Sequence, residues 1–497
     1  MAENNLQNKV INATKWSAMT EIAAKLVSPI TNMILARILA PEAFGVVATV
    51  TMIVSFAEMF TDAGFQKYLV QHQFKDEEEK FNNANVAFWT NLGISILLWI
   101  TIFIFREKIA ISVGNPGLGN VIAIASFQLL LTSFSSIQMA LYRRDFDFKT
   151  LFLVRMVAVF IPFAVTVPLA ILGLKYWALI IGTITMQFSN AIVLTLKSKW
   201  KPKLYYNLKI LKEMISFSIW SLIEAISIWL TTWADTFIIG NALNQHYLGL
   251  YKTSTSMVNT LMVLITGSTT PVLFSTLSRL QDDEVKFNRI FLKFQRLISI
   301  IVFPLGVGVY LYSDLATQIL LGSQWGEASG VIGIWALTSS IMIVFGNYCS
   351  ELYRAKGRPK LSFIAQLLHL IVLVPACIIS SKYGFWTLVY TRSLIRLQLV
   401  LVHFLLMKFV IKFTISSMFK NVFPTAISAV TMGVFGYLLQ QINEGLIWNL
   451  FSIVLCAVLY FGILFIFHNM RKEVFGLIKK VLPKGYLYKF KFLHNEE

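Results

Sequence analysis

The chain has 497 residues, of which 56% are hydrophobic and only 14% are charged. A single soluble core of this length buries far less apolar surface, so the composition excludes an ordinary soluble protein and indicates one that crosses a membrane many times. The net charge of +18 does not indicate nucleic-acid binding, because Lys and Arg concentrate in the loops and tails on one side of the predicted spans.

About fourteen apolar stretches are each near the ~20 residues that a helix needs to cross a bilayer. Runs this long and continuous are not typical of barrel strands, so we predict an all-α integral membrane protein. The polar N-terminus, MAENNLQNK, is not typical of a cleavable signal peptide. The predicted spans are 14–38, 43–61, 84–105, 118–141, 151–172, 176–196, 214–240, 248–272, 291–312, 329–352, 361–380, 384–407, 421–440 and 446–467.

Landmarks in the first half of the chain return in the same order about 204–211 residues later. The clearest is 37–45 (RILAPEAFG), which returns as 241–249 (NALNQHYLG). The triplet LYR and an aromatic pentapeptide, which opens the next span, also repeat in register, at 141–143 and 352–354 and at 175–179 and 384–388. Such a repeat is typical of secondary transporters, in which two similar bundles face each other across a site.

The repeat and the charge pattern divide the chain into five predicted segments. These are an N-terminal six-helix bundle (1–196), a basic cytoplasmic linker (197–213), a C-terminal six-helix bundle (214–407), two extra transmembrane helices (408–467) and a basic amphipathic cytoplasmic tail (468–497). The excess of positive charge in the linker and tail predicts that both termini are cytoplasmic. We expect the tail to lie on anionic lipid, with a specific partner-binding role as the alternative.

The first span carries a polar stripe that contains Glu21 and Lys25. An ionisable residue inside a span is costly unless it faces water or a partner, so these residues are candidates for a functional site. Mutual neutralisation of Glu21 and Lys25, four residues apart, is the structural alternative. Glu58 in the second span is a further candidate, whereas Arg155 in the fifth is explained equally well by snorkelling toward the cytoplasm.

The seventh span, which the repeat pairs with the first, carries a similar polar stripe with Glu224 and Asp235. The twelfth span places Arg392, Arg396 and His403 on one face and contains no acidic residue. A buried guanidinium without a carboxylate favours an anion, and its planar fork suits phosphate oxygens. The alternatives are pairing with an acidic residue of another helix, namely Glu224, Asp235, Glu58 or Glu351, and snorkelling of His403.

The three cysteines, Cys349, Cys377 and Cys456, fall within spans and predict neither a disulfide framework nor a metal site. We find no phosphate-binding glycine loop and no nucleophile, base or metal-ligand grouping above background. The sequence therefore predicts neither an enzyme nor a cofactor.

The stretches 35–45 (LARILAPEAFG) and 62–65 (DAGF) resemble the N-terminal signature of bacterial polysaccharide transporters, the Wzx-like flippases of the MOP exporter superfamily. The stretches 235–240 (DTFIIG) and 248–251 (LGLY) look like its second-half counterpart. The resemblance implies two pseudo-symmetric six-helix bundles around a central cavity, plus two C-terminal helices. It also implies movement of undecaprenyl-pyrophosphate-linked O-antigen, capsule or exopolysaccharide units across the bacterial inner membrane.

On this hypothesis the substrate and membrane lipids are the expected partners, with other polysaccharide-assembly proteins as further ones. The expected substrate-binding residues are Lys25, Arg392, Arg396, Arg155 and His403. The expected residues for charge balance or cation coupling are Glu21, Glu224, Asp235 and Glu58. A cation-coupled multidrug exporter of the same superfamily is the alternative, and it predicts an acidic cavity. A membrane polymerase or ligase is a third reading, disfavoured because such enzymes need a sizeable outer loop, which is not predicted here.

Overall fold

The computed structural model describes residues 16, 19–20, 23–24, 27–62, 64–443, 445–468, 470–471 and 473. All regular structure in these residues is helical. The helices are α1 (27–38), α2 (Pro41–Asp62), α3 (Phe65–Gln71), α4 (Glu77–Ile104), α5 (Arg106–Ser112), α6 (Gly119–Ala125), α7 (Gln128–Arg144), α8 (Phe148–Ile161), α9 (Val167–Ile171), α10 (Tyr176–Lys197), α11 (Leu208–Ala242), α12 (Gln245–Ser278), α13 (Glu284–Leu311), α14 (Ser313–Leu320), α15 (Ala328–Met342), α16 (Tyr348–Ala355), α17 (Lys360–Ser381), α18 (Phe385–Leu406), α19 (Ile415–Gln440) and α20 (Leu446–Ile466).

Eleven helices or continuous helix runs in the described residues are long and apolar enough to cross a membrane, and the bent helix α12 gives a twelfth. The protein is therefore a multi-pass membrane protein, as the composition predicted. The predicted count of fourteen is not confirmed. The first predicted span lies partly outside the described residues, and the seventh corresponds to α11, which is not among the twelve.

Short local signals set several helix boundaries. Asp76 and Asp147 cap α4 and α8 by accepting hydrogen bonds from the backbone N–H groups of Glu79 and Thr150, which satisfies donors that the first helical turn leaves open. Gly384, with φ 97°, lies just before α18. The repeated landmarks behave as predicted: LYR closes α7 and α16, and the aromatic pentapeptides open α10 and α18.

The chain divides into two compact units. Unit 1 comprises residues 1–257, 320–328 and 374–389, and unit 2 comprises residues 258–319, 329–373 and 390–497. In unit 1, valines of α2 pack with Ile122 and Leu129 in one apolar cluster. The predicted boundaries at 196, 213 and 407 stay predictions.

Unit 2 joins the two C-terminal helices to α13 through buried polar contacts. Ser299 and Thr425 are 2.8 Å apart through their hydroxyl oxygens, and the Tyr312 hydroxyl donates to Ser452 Oγ at 2.8 Å. Most of the predicted amphipathic tail lies outside the described residues. Glu473, in the described part of the tail, pairs with Arg296 of α13 at 2.6 Å.

The two glycines that end the repeated landmark meet in unit 1. A Cβ atom added to Gly45 on α2 would overlap the carbonyl oxygen of Gln245, and one added to Gly249 on α12 would overlap that of Pro41. Pro41 and Gln245 occupy equivalent positions of the repeat, as do Gly45 and Gly249. The contact is therefore reciprocal, and only glycine allows the two backbones to approach so closely.

A short segment from the second half of the sequence completes this crossing. The indole Nε1 of Trp325, which is fully buried, donates to the carbonyl oxygen of Ala36 at 2.7 Å. Gln324 Nε2 donates to the carbonyl oxygen of Leu39 at 3.1 Å. The ring of Trp325 also meets Phe44 edge to face at 5.3 Å. These contacts fix residues 320–328 beside the end of α1 and the beginning of α2.

Candidate functional site

Two arginines of α18 stack on one indole in unit 2. Arg392 and Arg396 are four residues apart, so both project from one face of the helix. Their guanidinium carbons lie 5.3 Å and 4.1 Å from the ring centroid of Trp335 on α15. A guanidinium at this distance from an indole face gains ~0.5–2 kcal/mol, more as water is excluded. We call Arg392, Arg396 and Trp335 the arginine site.

Neutral polar groups orient the arginine site. The indole Nε1 of Trp335 donates to Asn259 Oδ1 at 3.0 Å, and Arg396 Nη1 donates to Ser339 Oγ at 2.7 Å. Trp335 and Ser339 are four residues apart on α15, so they face α18 together. Arg392 is buried, with 8% of its surface exposed. A guanidinium carries its N–H donors in a planar fork, a geometry that matches two oxygens of a carboxylate or a phosphate.

Two of the acidic residues that the sequence offers as alternative partners make contacts within their own surroundings. Glu351 pairs with Arg354 at 3.0 Å on the same helix. Asp235, which is 5% exposed, accepts a hydrogen bond from the Tyr251 hydroxyl at 2.7 Å.

His403, the third predicted member of the cationic face, lies in a tightly packed position. It is 1% exposed, and its Nδ1 atom is 3.3 Å from the Tyr353 hydroxyl. A Cβ added to Gly346 would lie 3.5 Å from its ring. These contacts favour a packing role for the imidazole, and its part in substrate binding stays a prediction.

A second charged cluster lies in unit 1, where α11 meets α12. Asp235 accepts from the Tyr251 hydroxyl and also from the backbone N–H of Thr236 at 2.7 Å. The ammonium of Lys252 lies 4.0 Å from the ring centroid of Trp233 and donates to Thr236 Oγ1 at 3.2 Å. A carboxylate and a cation thus share one small polar cluster, which we call the aspartate cluster.

Of the remaining predicted residues, the structure describes the side chains of Glu58 and Arg155. Glu58 is half-buried on α2, near Ser55, whose Oγ accepts from the Trp229 indole at 3.0 Å. Arg155 is exposed on α8, and both substrate binding and snorkelling stay predictions for it. Glu21 and Lys25 lie outside the described residues, and so does the side chain of Glu224, although its backbone belongs to α11.

The family model described as "Polysaccharide biosynthesis protein" matches residues 34–330 of the chain. The chain belongs to this family.

Among its relatives, this polysaccharide biosynthesis protein is 23% identical to the lipopolysaccharide biosynthesis protein WzxC of Escherichia coli K12 over 384 residues, 76% of each chain. It is 20% identical to the teichuronic acid biosynthesis protein TuaB of Bacillus subtilis over 439 residues, 87% of this chain and 89% of that protein. The predicted resemblance to bacterial polysaccharide transporters is confirmed.

Two solved structures share the fold. The lipid II flippase MurJ in an inward closed conformation matches with a TM-score of 0.70 at 16% identity, covering 91% of this chain and 98% of that one. An inward-facing multidrug resistance MATE family transporter of the MOP superfamily matches with a TM-score of 0.61 at 14% identity, covering 81% and 99%. At these identities the likeness shows the fold alone.

The sequence did not predict several residues at the two clusters, among them Lys252, Trp335 and Asn259, the hydrogen-bond partner of Trp335. Lys252 falls inside the predicted span 248–272, so the rule that flags ionisable residues in spans was sufficient to find it. Neither Trp335 nor Asn259 is among the residues that the sequence predicts for the site. No sequence signal distinguishes an indole that stacks on arginines from one that packs at a membrane interface.

Proposed function

We propose that this polysaccharide biosynthesis protein is a flippase for lipid-linked oligosaccharide in a bacterial cytoplasmic membrane. Family membership and relatives named for polysaccharide biosynthesis and transport support this function. A relative in Haloferax volcanii is named as a probable glycan biosynthesis flippase. The protein moves its substrate without making or breaking covalent bonds, which makes it a transporter and not an enzyme.

The arginine site is the observation that supports an anionic substrate. Two guanidinium groups lie against one indole, and a pyrophosphate offers oxygens that complement their positive charge and planar forks of N–H donors. Lys25 adds a further cation on this proposal. The sugars cross in a hydrated path, and the lipid chains remain in the bilayer, because hydrocarbon gains nothing by entering water.

A multidrug exporter is the rival function, since MATE transporters share the fold. Cationic drugs require acidic groups at the point of binding, whereas Arg392 and Arg396 present positive charge. Asp235 and Glu58 are acidic, but we assign them to charge balance or cation coupling, together with Glu21 and Glu224.

Deletion of the gene tests the proposed function. The lipid-linked glycan should accumulate on the cytoplasmic face of the membrane and fall again when the gene is restored. Accumulation of a lipid-linked glycan in the deletion strain, identified by mass spectrometry, also reveals which sugar is carried. Unchanged lipid-linked glycans combined with increased sensitivity to cationic drugs would favour the exporter.

The charge distribution further supports a topology with both termini and the 197–213 linker in the cytoplasm. Single cysteines replacing Lys199 or Lys356 should resist a membrane-impermeant maleimide in intact cells, whereas a cysteine replacing Ser323 should react. Lysed cells provide the control, because all three positions should then be labelled. Labelling of the Lys199 position in intact cells would reverse the topology.

A further inference from the structure

A histidine bridges two carboxylates at the glycine crossing of unit 1. The Nδ1 atom of His246, in the first turn of α12, lies 2.7 Å from Glu42 Oε1 in the first turn of α2. Its Nε2 atom lies 3.3 Å from Glu327 Oε2, in the 320–328 segment. One imidazole thus contacts carboxylates from two separate parts of the chain, immediately beside the reciprocal contact of Gly45 and Gly249.

Hydrogen-bond chemistry decides which form of the imidazole completes this bridge. An ionised carboxylate only accepts hydrogen bonds, and a neutral imidazole carries a single N–H, so it donates to one carboxylate and turns a lone pair toward the other. The imidazolium donates from both nitrogens and also neutralises part of the repulsion between the two acids. The geometry therefore fits the protonated form.

The three side chains of the bridge are partly exposed, so protons can reach them. The side chain of His246 is 33% exposed, and those of Glu42 and Glu327 are 52% and 64% exposed. Tyr247 is the titratable group in contact with the imidazole: its ring meets His246 edge to face and stacks on Phe385. Arg37 is a charged group that packs against Gly322 of the 320–328 segment.

We propose that His246, Glu42 and Glu327 form a proton-binding site that holds α2, α12 and the 320–328 segment together at this end of unit 1. Binding of one proton completes the second hydrogen bond and tightens the crossing. Loss of the proton leaves one carboxylate facing the lone pair of an imidazole nitrogen. One hydrogen bond of the bridge is then lost, and the 320–328 segment is held less tightly.

The consequence for transport rests on the proposed function and topology. The charge distribution assigns this end of unit 1 to the outer side of the membrane, so external protons would favour the tightened crossing and external alkali the loosened one. A proton that binds only one state of a carrier couples that state to the proton gradient. The three residues of this site are not among the predicted coupling residues, which are Glu21, Glu224, Asp235 and Glu58.

Hydrogen exchange of the purified full-length protein tests the site without any substrate, so an error in the proposed function leaves the result untouched. We expect amides of residues 320–328 and of the first two turns of α12 to lose about threefold to tenfold in protection between pH 6 and pH 8, after correction for intrinsic exchange.

Two substitutions at the same position separate charge from shape. His246→Gln should show low protection at both pH values, because a neutral amide cannot add the second charge-assisted donor. His246→Arg should show high protection at both, because a guanidinium donates to both carboxylates and does not titrate in this range. His72→Gln is the matched control: His72 stacks on Tyr68 elsewhere in unit 1, and its loss should leave the wild-type response. A wild-type pH response in His246→Gln, or a response that persists in His246→Arg, would overturn the proposal.

Discussion

The glycine crossing in unit 1 and the arginine site in unit 2 are built on different principles. At the crossing, Gly45 and Gly249 bring two helix backbones into contact, and equivalent residues of the repeat face each other. At the arginine site, the contact is made by long side chains that stack on an indole. The positions that the repeat pairs with Arg392 and Arg396 are Thr183 and Gln187, which carry no charge. In these two regions the repeat preserves a packing contact but not the two arginines.

The largest expected effect is at the crossing. Gly45→Ala places a methyl group against the carbonyl of Gln245, and a backbone atom has no rotamer by which to withdraw. Overpacking of a close contact costs ~1–3 kcal/mol even where side chains can move, so we expect more here. The measurement is the yield of monodisperse purified protein and its thermal midpoint, both of which should fall sharply.

Gly93→Ala is the matched control for this substitution. Gly93 also lies in a spanning helix, and nothing lies within 4 Å of an added Cβ atom. Its substitution should leave the yield and midpoint unchanged or slightly improved, since alanine is the better helix former. Wild-type stability in Gly45→Ala would show that the close crossing is not a requirement of the fold.

The next effect is at Arg396. Removal of a charge-assisted contact costs ~1.5–3 kcal/mol, so Arg396→Ala should lower glycan export by about tenfold to a hundredfold in protein that is still inserted and folded. Arg396→Lys should recover only part of the activity, because an ammonium lacks the planar fork and stacks less well on the indole.

Lys382→Ala serves as the control for Arg396, because Lys382 is exposed in the turn before α18. Its export rate should match wild type. Full export by both Arg392→Ala and Arg396→Ala would show that the arginine site does not bind substrate. The two regions would then differ only in how they pack.

A smaller effect is expected at Trp335. Trp335→Leu removes the surface on which both guanidinium groups lie, and the loss of ~0.5–2 kcal/mol corresponds to about twofold to thirtyfold in export. Trp335→Phe keeps an aromatic face but loses the hydrogen bond to Asn259, so its export rate should lie between those of wild type and Trp335→Leu. Trp386→Leu, on the exposed side of α18, should have no such effect. An equal loss in Trp335→Leu and Trp386→Leu would indicate general packing damage.

The smallest effect concerns the voltage dependence of export. Movement of one elementary charge across a membrane potential changes its free energy by ~2.3 kcal/mol per 100 mV. We expect Asp235, in the last part of α11, to sense only a fraction of that field. Asp235→Asn should change the ratio of export rates with and without a 100 mV potassium-diffusion potential by about twofold to fivefold, at constant pH.

Tyr251→Phe supplies the comparison for Asp235→Asn, because it removes the hydrogen bond to Asp235 and keeps the charge. The voltage ratio of this variant should equal that of wild type. A ratio that changes in Tyr251→Phe, or a rate that ignores voltage and follows a proton gradient in every variant, would refute the electrical role of Asp235.

The sequence by itself determined the class and much of the plan of this protein. Long apolar runs fix a helical membrane protein, because only internally hydrogen-bonded helices satisfy a backbone in hydrocarbon. The landmarks at 37–45 and 241–249 located equivalent helix boundaries, and the spacing of Arg392 and Arg396 placed both on one helix face, since these features depend on local periodicity. The family resemblance followed from the same landmarks.

Only the tertiary structure decided which side chains meet across helices. That Trp335 lies under both arginines, that Lys252 joins the cluster of Asp235, and that His246 joins Glu42 to Glu327 all depend on contacts between residues far apart in the chain. Helical periodicity states which way a residue faces but not which helix lies opposite it. The partner is set by packing, and at the crossing by the absence of two side chains at Gly45 and Gly249.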